Sequence, residues 1–234
     1  MTARAPAAPH LSRRRIPPRL LLGAWLSLTS ACLFVRTSLG PVPASVSSLE
    51  GYASWRLVRE GASSRARFSF LLVLPARGLI EVTDPLNRTV SRLFLEGETA
   101  YLVLPGKKAF WQASRGDVMT KLLGFDLSPE ELAALLCGRA EGLTGWSLET
   151  DDRARVIGGR RGELTFSVGQ FFDGGRQPQT IAMANGAARG SLRIIRLQFN
   201  QPPRPDSFRL DFLADERYRA VGWPEIEAWL RNED

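Results

Sequence analysis

Ser64-Arg-Ala-Arg-Phe-Ser-Phe-Leu-Leu-Val-Leu74 is the stretch of the chain that decides the fold. Apolar side chains occupy every second position from Ala66 to Leu74, and Arg65 and Arg67 stand on either side of Ala66, in the alternate positions. This period of two is the pattern of a β-strand with one face on a core and the other in water. The stretch therefore predicts a strand whose arginines lie on the face opposite the apolar one.

The segments around this strand repeat the pattern and are separated by turn residues. Turns are predicted at Pro75–Gly78, at Asp84–Asn87 and at Pro105-Gly106, because proline, glycine and Asx residues favour tight turns. The pattern predicts an antiparallel meander. The further strands expected in it are 51–59, 79–83, 89–95, 99–104 and 108–113.

Two helices are predicted after the meander. The first covers 116–123 and ends at Gly124, a residue suited to a helix C-cap. The second begins at Ser128, whose hydroxyl and the carboxylate of Glu131 have the spacing of a capping box, and it ends at Gly138. Strands then resume, and a short amphipathic helix starts at Pro224. The expected strands are 145–150, 153–157, 163–168, 179–183, 190–199 and 207–213.

These elements predict a mainly β fold with inserted helices. A sheet of about ten or eleven antiparallel strands tends to curl, so we expect a half-open barrel. The inserted helices are expected to cover its apolar cavity. Periodicity alone leaves open whether that interior is a filled core or a hollow pocket.

The start of the chain has the pattern of a secretory signal. Arginines at 13, 14, 15 and 19 precede the apolar run Leu20–Ala31, and Cys32 follows small residues. The run is too short to span about 30 Å of hydrocarbon. The order resembles a bacterial lipobox, in which the cysteine is acylated and becomes the new N-terminus. A plain signal peptide and a weak membrane anchor are the alternatives.

This pattern divides the chain into four parts. Residues 1–31 are expected to be a lipoprotein signal peptide that is removed, and residues 32–48 a lipidated Cys32 with a flexible tether. Residues 49–222 are expected to form the half-barrel domain, and residues 223–234 a C-terminal amphipathic helix and tail. Leu33 stands where an aspartate would favour retention at the inner membrane, so the pattern resembles the outer-membrane class.

Removal of the signal changes what the composition implies. Residues 1–31 hold five of the 31 basic side chains, none of the 24 acidic ones, and the only histidine, His10. The positive charge is therefore poor evidence for nucleic-acid binding. Without histidine, Ser-His-Asp and Cys-His chemistry is excluded for the mature chain, and we expect no metal and no cofactor. Cys137 is expected to be buried.

Two motifs of the predicted domain resemble the LolB family of outer-membrane lipoprotein receptors. Ile80-Glu-Val-Thr-Asp-Pro-Leu-Asn-Arg-Thr-Val90 is similar to a strand–loop–strand in which that family has an Asn/Asp-Pro-Leu-Gly loop. Val118–Gly138 is similar to its two helices and the turn between them. The resemblance covers about residues 50–145. Asn87 departs from the family's glycine, and the tail after Gly222 is unlike the family's ending.

The resemblance implies a function that involves no chemical reaction, so we do not expect an enzyme. A LolB-like receptor takes the acyl chains of lipoproteins from a LolA-like periplasmic carrier and releases them into the outer membrane, acting as a chaperone in protein transport. The partners implied are that carrier, acylated lipoproteins and outer-membrane lipid, and we expect a monomer. The expected acyl-chain lining is Phe68, Phe70, Leu72, Ile80, Val82, Leu93, Leu95, Leu102 and Leu104.

The resemblance makes a more specific prediction for the loop Asp84–Asn87 than for the acyl-chain lining. In the family its leucine protrudes and helps to insert the substrate into the membrane, which assigns this role to Leu86. Pro85 would stiffen the loop and Arg88 would meet anionic headgroups. An exposed leucine at a hairpin tip is otherwise unfavourable, and the alternative is that Leu86 folds back onto the sheet.

Three other functions remain open from the sequence. The first is a periplasm-facing lipoprotein of the same fold that binds or senses another lipid or regulates a partner. The second is an envelope hydrolase that uses the paired carboxylates Glu130/Glu131 or Asp151/Asp152. The third is a structural envelope lipoprotein, which needs no cavity.

Overall fold

The computed structural model describes residues 41–59, 61–86 and 88–231. Its first six strands follow one another along the chain and confirm the predicted meander. Residues 64–73 of the alternating stretch fall in the second strand, which pairs with the first strand on one side and the third on the other. The bounds are β1 Ser48–Arg59, β2 Ala62–Val73, β3 Arg77–Thr83, β4 Thr89–Glu96, β5 Thr99–Leu104 and β6 Ala109–Ser114.

Two helices follow the meander where the capping residues predict them. Helix α1 is Arg115–Leu123 and ends at Gly124, which adopts a positive φ of 83° that favours glycine. Helix α2 is Pro129–Cys137. The hydroxyl of Ser128 accepts a hydrogen bond from the N–H of Glu131 (3.1 Å), and the N–H of Ser128 donates to the Glu131 carboxylate (2.9 Å). The predicted capping box is therefore confirmed.

The second half of the chain adds six strands and two helices to the described structure. Their bounds are β7 Ser147–Thr150, β8 Val156–Arg161, β9 Leu164–Phe171, β10 Pro178–Asn185, β11 Ala188–Phe199, α3 Phe212–Asp215, β12 Arg219–Ala220 and α4 Trp223–Arg231. All 12 strands belong to one curled, unclosed sheet in the order β12-β6-β5-β4-β3-β2-β1-β11-β10-β9-β8-β7. The predicted fold class is confirmed.

Two predicted strands are wrong. Residues 153–157 were expected to be extended, but β8 begins only at Val156, because the preceding residues form a turn around the carboxylate of Asp151. Residues 207–213 form turns and the start of α3. Their alternating apolar side chains pack on side chains of the sheet, as when Phe212 stacks on Phe94, so the alternation reflects packing and not pairing with another strand.

The inner face of the sheet carries the main core. Side chains from both halves of the sheet and from α1 and α2 form one buried cluster, in which Leu49, Leu72 and Leu95 are fully buried. The core of the β1–β6 half and that of the β7–β11 half are therefore continuous across β1 and β11, which pair with each other.

A second, smaller cluster lies on the outer face of the sheet. Phe94 and Val103 alternate with residues of the main cluster and are buried against Leu213 of α3. Past this cluster, β12 pairs in parallel with β6, so the chain reaches the edge of the sheet. The chain then returns to the inner face, where Ile226 of α4 is fully buried in the main cluster. Residues 201–231 therefore contact both faces of the sheet and its β6 edge, and we call them the C-terminal clasp.

The described part of the predicted tether lies against the domain. Val42 and Val46 pack on the main cluster, and the guanidinium of Arg139 donates to the carbonyl of Pro43. Residues 32–40, with Cys32, and the signal 1–31 lie outside the described residues. Among the helices that the structure does describe, none is long and apolar enough to cross a membrane.

Candidate functional site

An apolar cavity of about 90 Å³ lies between the inner face of the sheet and the two central helices. The sheet side of this cavity comes from β1, β2, β3, β10 and β11. The helical side comes from α1, α2 and the link between them, and its residues are Met119, Leu123, Phe125, Leu127, Leu132 and Leu136. Every lining residue is apolar, so the cavity offers an environment for hydrocarbon.

The structure brings four of the expected lining residues to this cavity. They are Phe68, Phe70, Ile80 and Val82. The other five are buried in the main cluster but do not line the cavity, and they are Leu72, Leu93, Leu95, Leu102 and Leu104. Helix α1 packs on β5 and β6, so it fills the space in front of that part of the inner face.

The sequence did not predict the other ten of the 14 lining residues, and eight of those ten come from elements distant in the chain from the predicted ones. Met183 and Leu192 belong to β10 and β11, which the sequence predicts as strands without assigning either to the cavity. Leu132 and Leu136 of α2 lie four residues apart on one helical face. In the sequence, that spacing indicates that α2 presents an apolar face to the site.

Trp55 is the largest side chain of the lining. Its indole packs edge to face against Phe125, with ring centroids 5.6 Å apart and planes at 89°. It also covers Gly190, where a Cβ would overlap the indole ring, so the glycine is required at that position. The Trp55 N–H is buried and has no hydrogen-bond partner. It is a polar group left unsatisfied at the edge of an apolar site.

Hydrogen bonds attach both helices over the cavity to the sheet. The guanidinium of Arg59 donates to the carbonyls of Thr120 (2.8 Å) and Lys121 (3.3 Å) at the end of α1. On the other side, Glu131 of α2 accepts from the indole N–H of Trp146 (3.0 Å) and from the guanidinium of Arg161. The helices are therefore held at their ends, while the side chains that they turn toward the cavity are apolar.

The β3–β4 turn is the second part of the site. Leu86 lies at its tip and is 73% exposed, the highest exposure among the large hydrophobic residues of the described chain. The leucine therefore protrudes and does not fold back onto the sheet. Asn87 lies outside the described residues.

The carboxylate of Asp84 organises this turn. It accepts hydrogen bonds from the backbone N–H of Leu86 (2.9 Å) and from the backbone N–H of Arg88 (2.9 Å). It also accepts from Nε of Arg88 (2.7 Å). The hydrogen bond from the Arg88 backbone is the largest cause that lowers the pKa of Asp84 below its ordinary value. Arg88, for which a headgroup role is expected, therefore also has a structural role in the turn.

The β7–β8 turn has the same construction. Asp151 accepts from the backbone N–H groups of Arg153 and Arg155 (3.0 Å each) and from Nε of Arg155 (2.8 Å). These bonds, with the Arg155 side chain first, lower the pKa of Asp151 to about 2. Arg153 stands where the first turn has Leu86. The two turns therefore differ chiefly in what they expose, an arginine in one and a leucine in the other.

One carboxylate of each pair considered for hydrolysis serves structural bonds. Glu131 holds the capping box, Trp146 and Arg161, and Asp151 holds its turn. No group of three His, Cys, Asp or Glu residues able to hold a metal occurs in the described ranges. Cys137 is buried, and this burial raises the pKa of its thiol to about 11, so the thiol stays protonated at neutral pH.

No family model and no curated protein matches this chain. Solved structures do match its fold. A LolA superfamily protein from Nitrosomonas europaea has a TM-score of 0.50 at 13% identity, over 74% of this chain and 93% of the other. A domain assigned to outer membrane lipoprotein sorting, from Vibrio parahaemolyticus, has 0.50 at 14% over 73% and 92%. A DUF1329 family protein from Desulfovibrio piger has 0.51 at 10% over 73% and 92%. The chain therefore has the LolA-like fold.

Proposed function

We propose that this protein is a lipid-anchored receptor of the outer membrane. It takes the acyl chains of lipoproteins from a LolA-like periplasmic carrier and delivers them to the membrane. The observation that carries the proposal is the cavity between sheet and helices, whose lining is apolar throughout. The fold supports it, since similar folds occur in a LolA superfamily protein and in a domain assigned to lipoprotein sorting.

The energetics of the task suit such a cavity. An acyl chain in water costs about 0.8 kcal/mol for each exposed methylene, and an apolar lining removes that cost without any reaction. Transfer then needs no nucleotide, provided that the receiver binds more tightly than the donor and the bilayer more tightly still. The direction of transfer is set by affinities alone.

The cavity must widen to admit its ligand. Its volume of about 90 Å³ is well below the ~300–1,000 Å³ of ordinary ligand pockets. The helices touch the sheet through apolar side chains, among them Met119, and Met183 faces them from the sheet. Methionine is unbranched and adapts to different shapes. We infer that the ligand separates α1 and α2 from the sheet while their anchored ends stay in place.

The Leu86 turn would complete delivery. Its exposed leucine enters the hydrocarbon, Pro85 limits the motion of the loop, and Arg88 lies at headgroup level. Acylation of Cys32 and residues 32–40 would keep the domain at the membrane where the cargo is released. Both the anchor and the receptor role belong to the proposal.

Binding of a fluorescent acylated peptide tests the cavity. Ala66 lines it, so Ala66→Phe fills it, and Val82→Phe is a second filling variant. Ala182, exposed on β10, gives the control Ala182→Phe with the same added volume outside the cavity. We expect both filling variants to lose binding while the control retains it, all three with unchanged circular dichroism. Equal binding by all four proteins would overturn the proposal.

Depletion in the cell separates the receptor from a lipid sensor of the same fold. Loss of a receptor leaves many lipoproteins bound to their carrier in the periplasm, because the last step of their transport is missing. Loss of a sensor leaves lipoprotein localisation unchanged. Fractionation of acylated lipoproteins after depletion therefore decides between the two.

A further inference from the structure

Four arginines lie together on the outer face of the sheet, away from the cavity. They are Arg56 of β1, Arg65 and Arg67 of β2, and Arg193 of β11, and all four are exposed. They line one open depression of about 570 Å³, whose other polar lining residues are serine, threonine and glutamine. We call these four residues the arginine patch.

The register of the strands places them as neighbours. Arg56 pairs directly with Arg65, and in the next row Arg67 and Arg193 both pair with Ser54, from opposite sides. Neighbouring strands are about 4.8 Å apart, so Arg67 and Arg193 are separated by roughly 10 Å at their Cα atoms. Four positive charges therefore occupy a square of the sheet about 10 Å wide.

Nothing in the described chain neutralises this patch. The remaining register partners of the four are Ser191, Thr83 and Thr180. None of the ion pairs within the described ranges involves them, and Arg56 donates only to the hydroxyl of Ser63 (3.3 Å). Like charges directly opposite each other on a sheet are destabilising. The arrangement costs stability in the free protein and is relieved by an anion.

The chemistry of arginine indicates the kind of anion. A guanidinium is a planar fork of donors that binds phosphate through two parallel hydrogen bonds, and it is easier to desolvate than an ammonium. An open face with several such forks suits several phosphate groups side by side. A membrane surface that contains anionic phospholipid presents phosphates in this way.

The position of the patch favours a membrane over an acidic protein. Thr83, the last residue of β3, pairs with Arg67, and the turn that exposes Leu86 begins at the next residue. Strand β2 runs on beyond this point, so Arg65 lies at the level of the turn. An apolar tip beside a group of cations matches a bilayer, which offers hydrocarbon beneath a charged surface.

We propose that the arginine patch docks the outer face of the sheet on anionic phospholipid headgroups, next to the site where Leu86 enters the bilayer. The inference rests on the proposed function and deepens it, since it names the lipid surface and the face of the protein that meets it. Binding by the patch orients the domain, whereas a lipid tether alone leaves its orientation free.

Vesicle binding without acyl cargo tests the inference. The full chain with Cys32→Ser, which carries no acyl anchor, is the parent of every variant. The patch variant is Arg65→Gln with Arg67→Gln. The matched control, Arg153→Gln with Arg160→Gln, removes the same charge from the β7–β8 end of the sheet. Vesicles are made of phosphatidylethanolamine alone or with an equal part of phosphatidylglycerol.

We expect the parent and the control to bind the anionic vesicles and to bind the neutral ones much more weakly. A basic side chain near an anionic leaflet contributes about fivefold in affinity, so the patch variant should bind roughly 25-fold more weakly. High salt should weaken the parent more than the patch variant, because screening acts on the charges that were removed.

Three results of the vesicle assay would overturn the inference. The first is an equal loss of vesicle binding in the control, and the second is undiminished binding by the patch variant. The third is binding that does not depend on phosphatidylglycerol. Since the assay contains no acyl ligand, failure here is distinct from failure of acylated-peptide binding, which tests the cavity. Capture of an acidic protein by a parent that leaves anionic vesicles unbound would also contradict it.

Discussion

Asp84 and Arg88 close the β3–β4 turn through both backbone and side chains. The N–H of Asp84 donates to the carbonyl of Arg88 (2.9 Å), and the Asp84 carboxylate accepts from the backbone N–H and from Nε of Arg88. This ring of bonds leaves the side chain of Leu86 largely exposed. The turn therefore keeps an exposed leucine in a fixed place.

Leu86→Glu is expected to leave the fold intact and to impair delivery to membranes. Burial of a leucine contributes about 1.5–3 kcal/mol, so its loss should slow delivery by roughly tenfold or more. The measurement is transfer of an acylated lipoprotein from carrier to liposome. Leu230→Glu on α4 makes the same change at another exposed leucine, and it should transfer normally. Equal transfer by Leu86→Glu and the native chain would refute the role of Leu86.

Acid should weaken the hydrogen bonds that hold the turns at Asp84 and Asp151, because protonation removes the charge of both carboxylates. A carboxylate with a depressed pKa stabilises the folded state above its unfolded pKa, and this contribution is lost as pH falls through the folded pKa. For Asp151 the loss is expected between pH 3.8 and about 2, and for Asp84 it begins below 3.8. Carbon-13 NMR of the carboxyl groups measures both midpoints. Ordinary midpoints for both residues would show that these bonds do not persist in solution.

Ile226→Ala should test how much α4 contributes to stability. Ile226 is fully buried in the main core, and truncation of such a side chain costs about 2–5 kcal/mol. Leu230→Ala on the same helix is expected to cost less than about 1 kcal/mol, because Leu230 is exposed. Urea unfolding monitored by circular dichroism measures both. Similar midpoints for the two variants would mean that α4 is not docked on the core.

Cys137 should be unreactive in the folded protein. Burial raises its pKa to about 11, and only the thiolate reacts readily with disulfide reagents. In the Cys32→Ser chain we expect no reaction with a disulfide reagent at pH 8, and one equivalent of thiol released in denaturant. Rapid labelling under native conditions would show that the end of α2 opens.

The meander and the two central helices were predictable because local signals agreed with the fold. The alternation around Phe68 indicates a strand, and the structure has one there. The capping box of Ser128 and Glu131 indicates the start of a helix, and α2 begins there. The same alternation failed at 207–213, where Phe212 meets Phe94 on the outer face and not a partner strand. A pattern of apolar residues shows that side chains are buried, and the available hydrogen-bond partners decide whether a strand forms.

The turn at Asp151 was missed, although its signal was present. Asp151 and Arg155 repeat the spacing of Asp84 and Arg88, and both carboxylates bind the arginine four residues later. The cavity shows a different limit. Phe70 lines it and Leu72 does not, yet both face inward from the same strand. The difference depends on where the helices lie over the sheet, which alternation does not encode.

The C-terminal clasp has a consequence for the biogenesis of the protein. Strand β6 obtains its outer partner when Arg219 pairs with Ala109, so this edge of the sheet is completed by residues synthesised after all the other strands. A chain cut short before Arg219 leaves the outer edge of β6 unpaired at Ala109 and Phe110, and an open edge can recruit strands from other molecules. Copies that stop before the clasp are therefore the ones prone to aggregate or to be degraded.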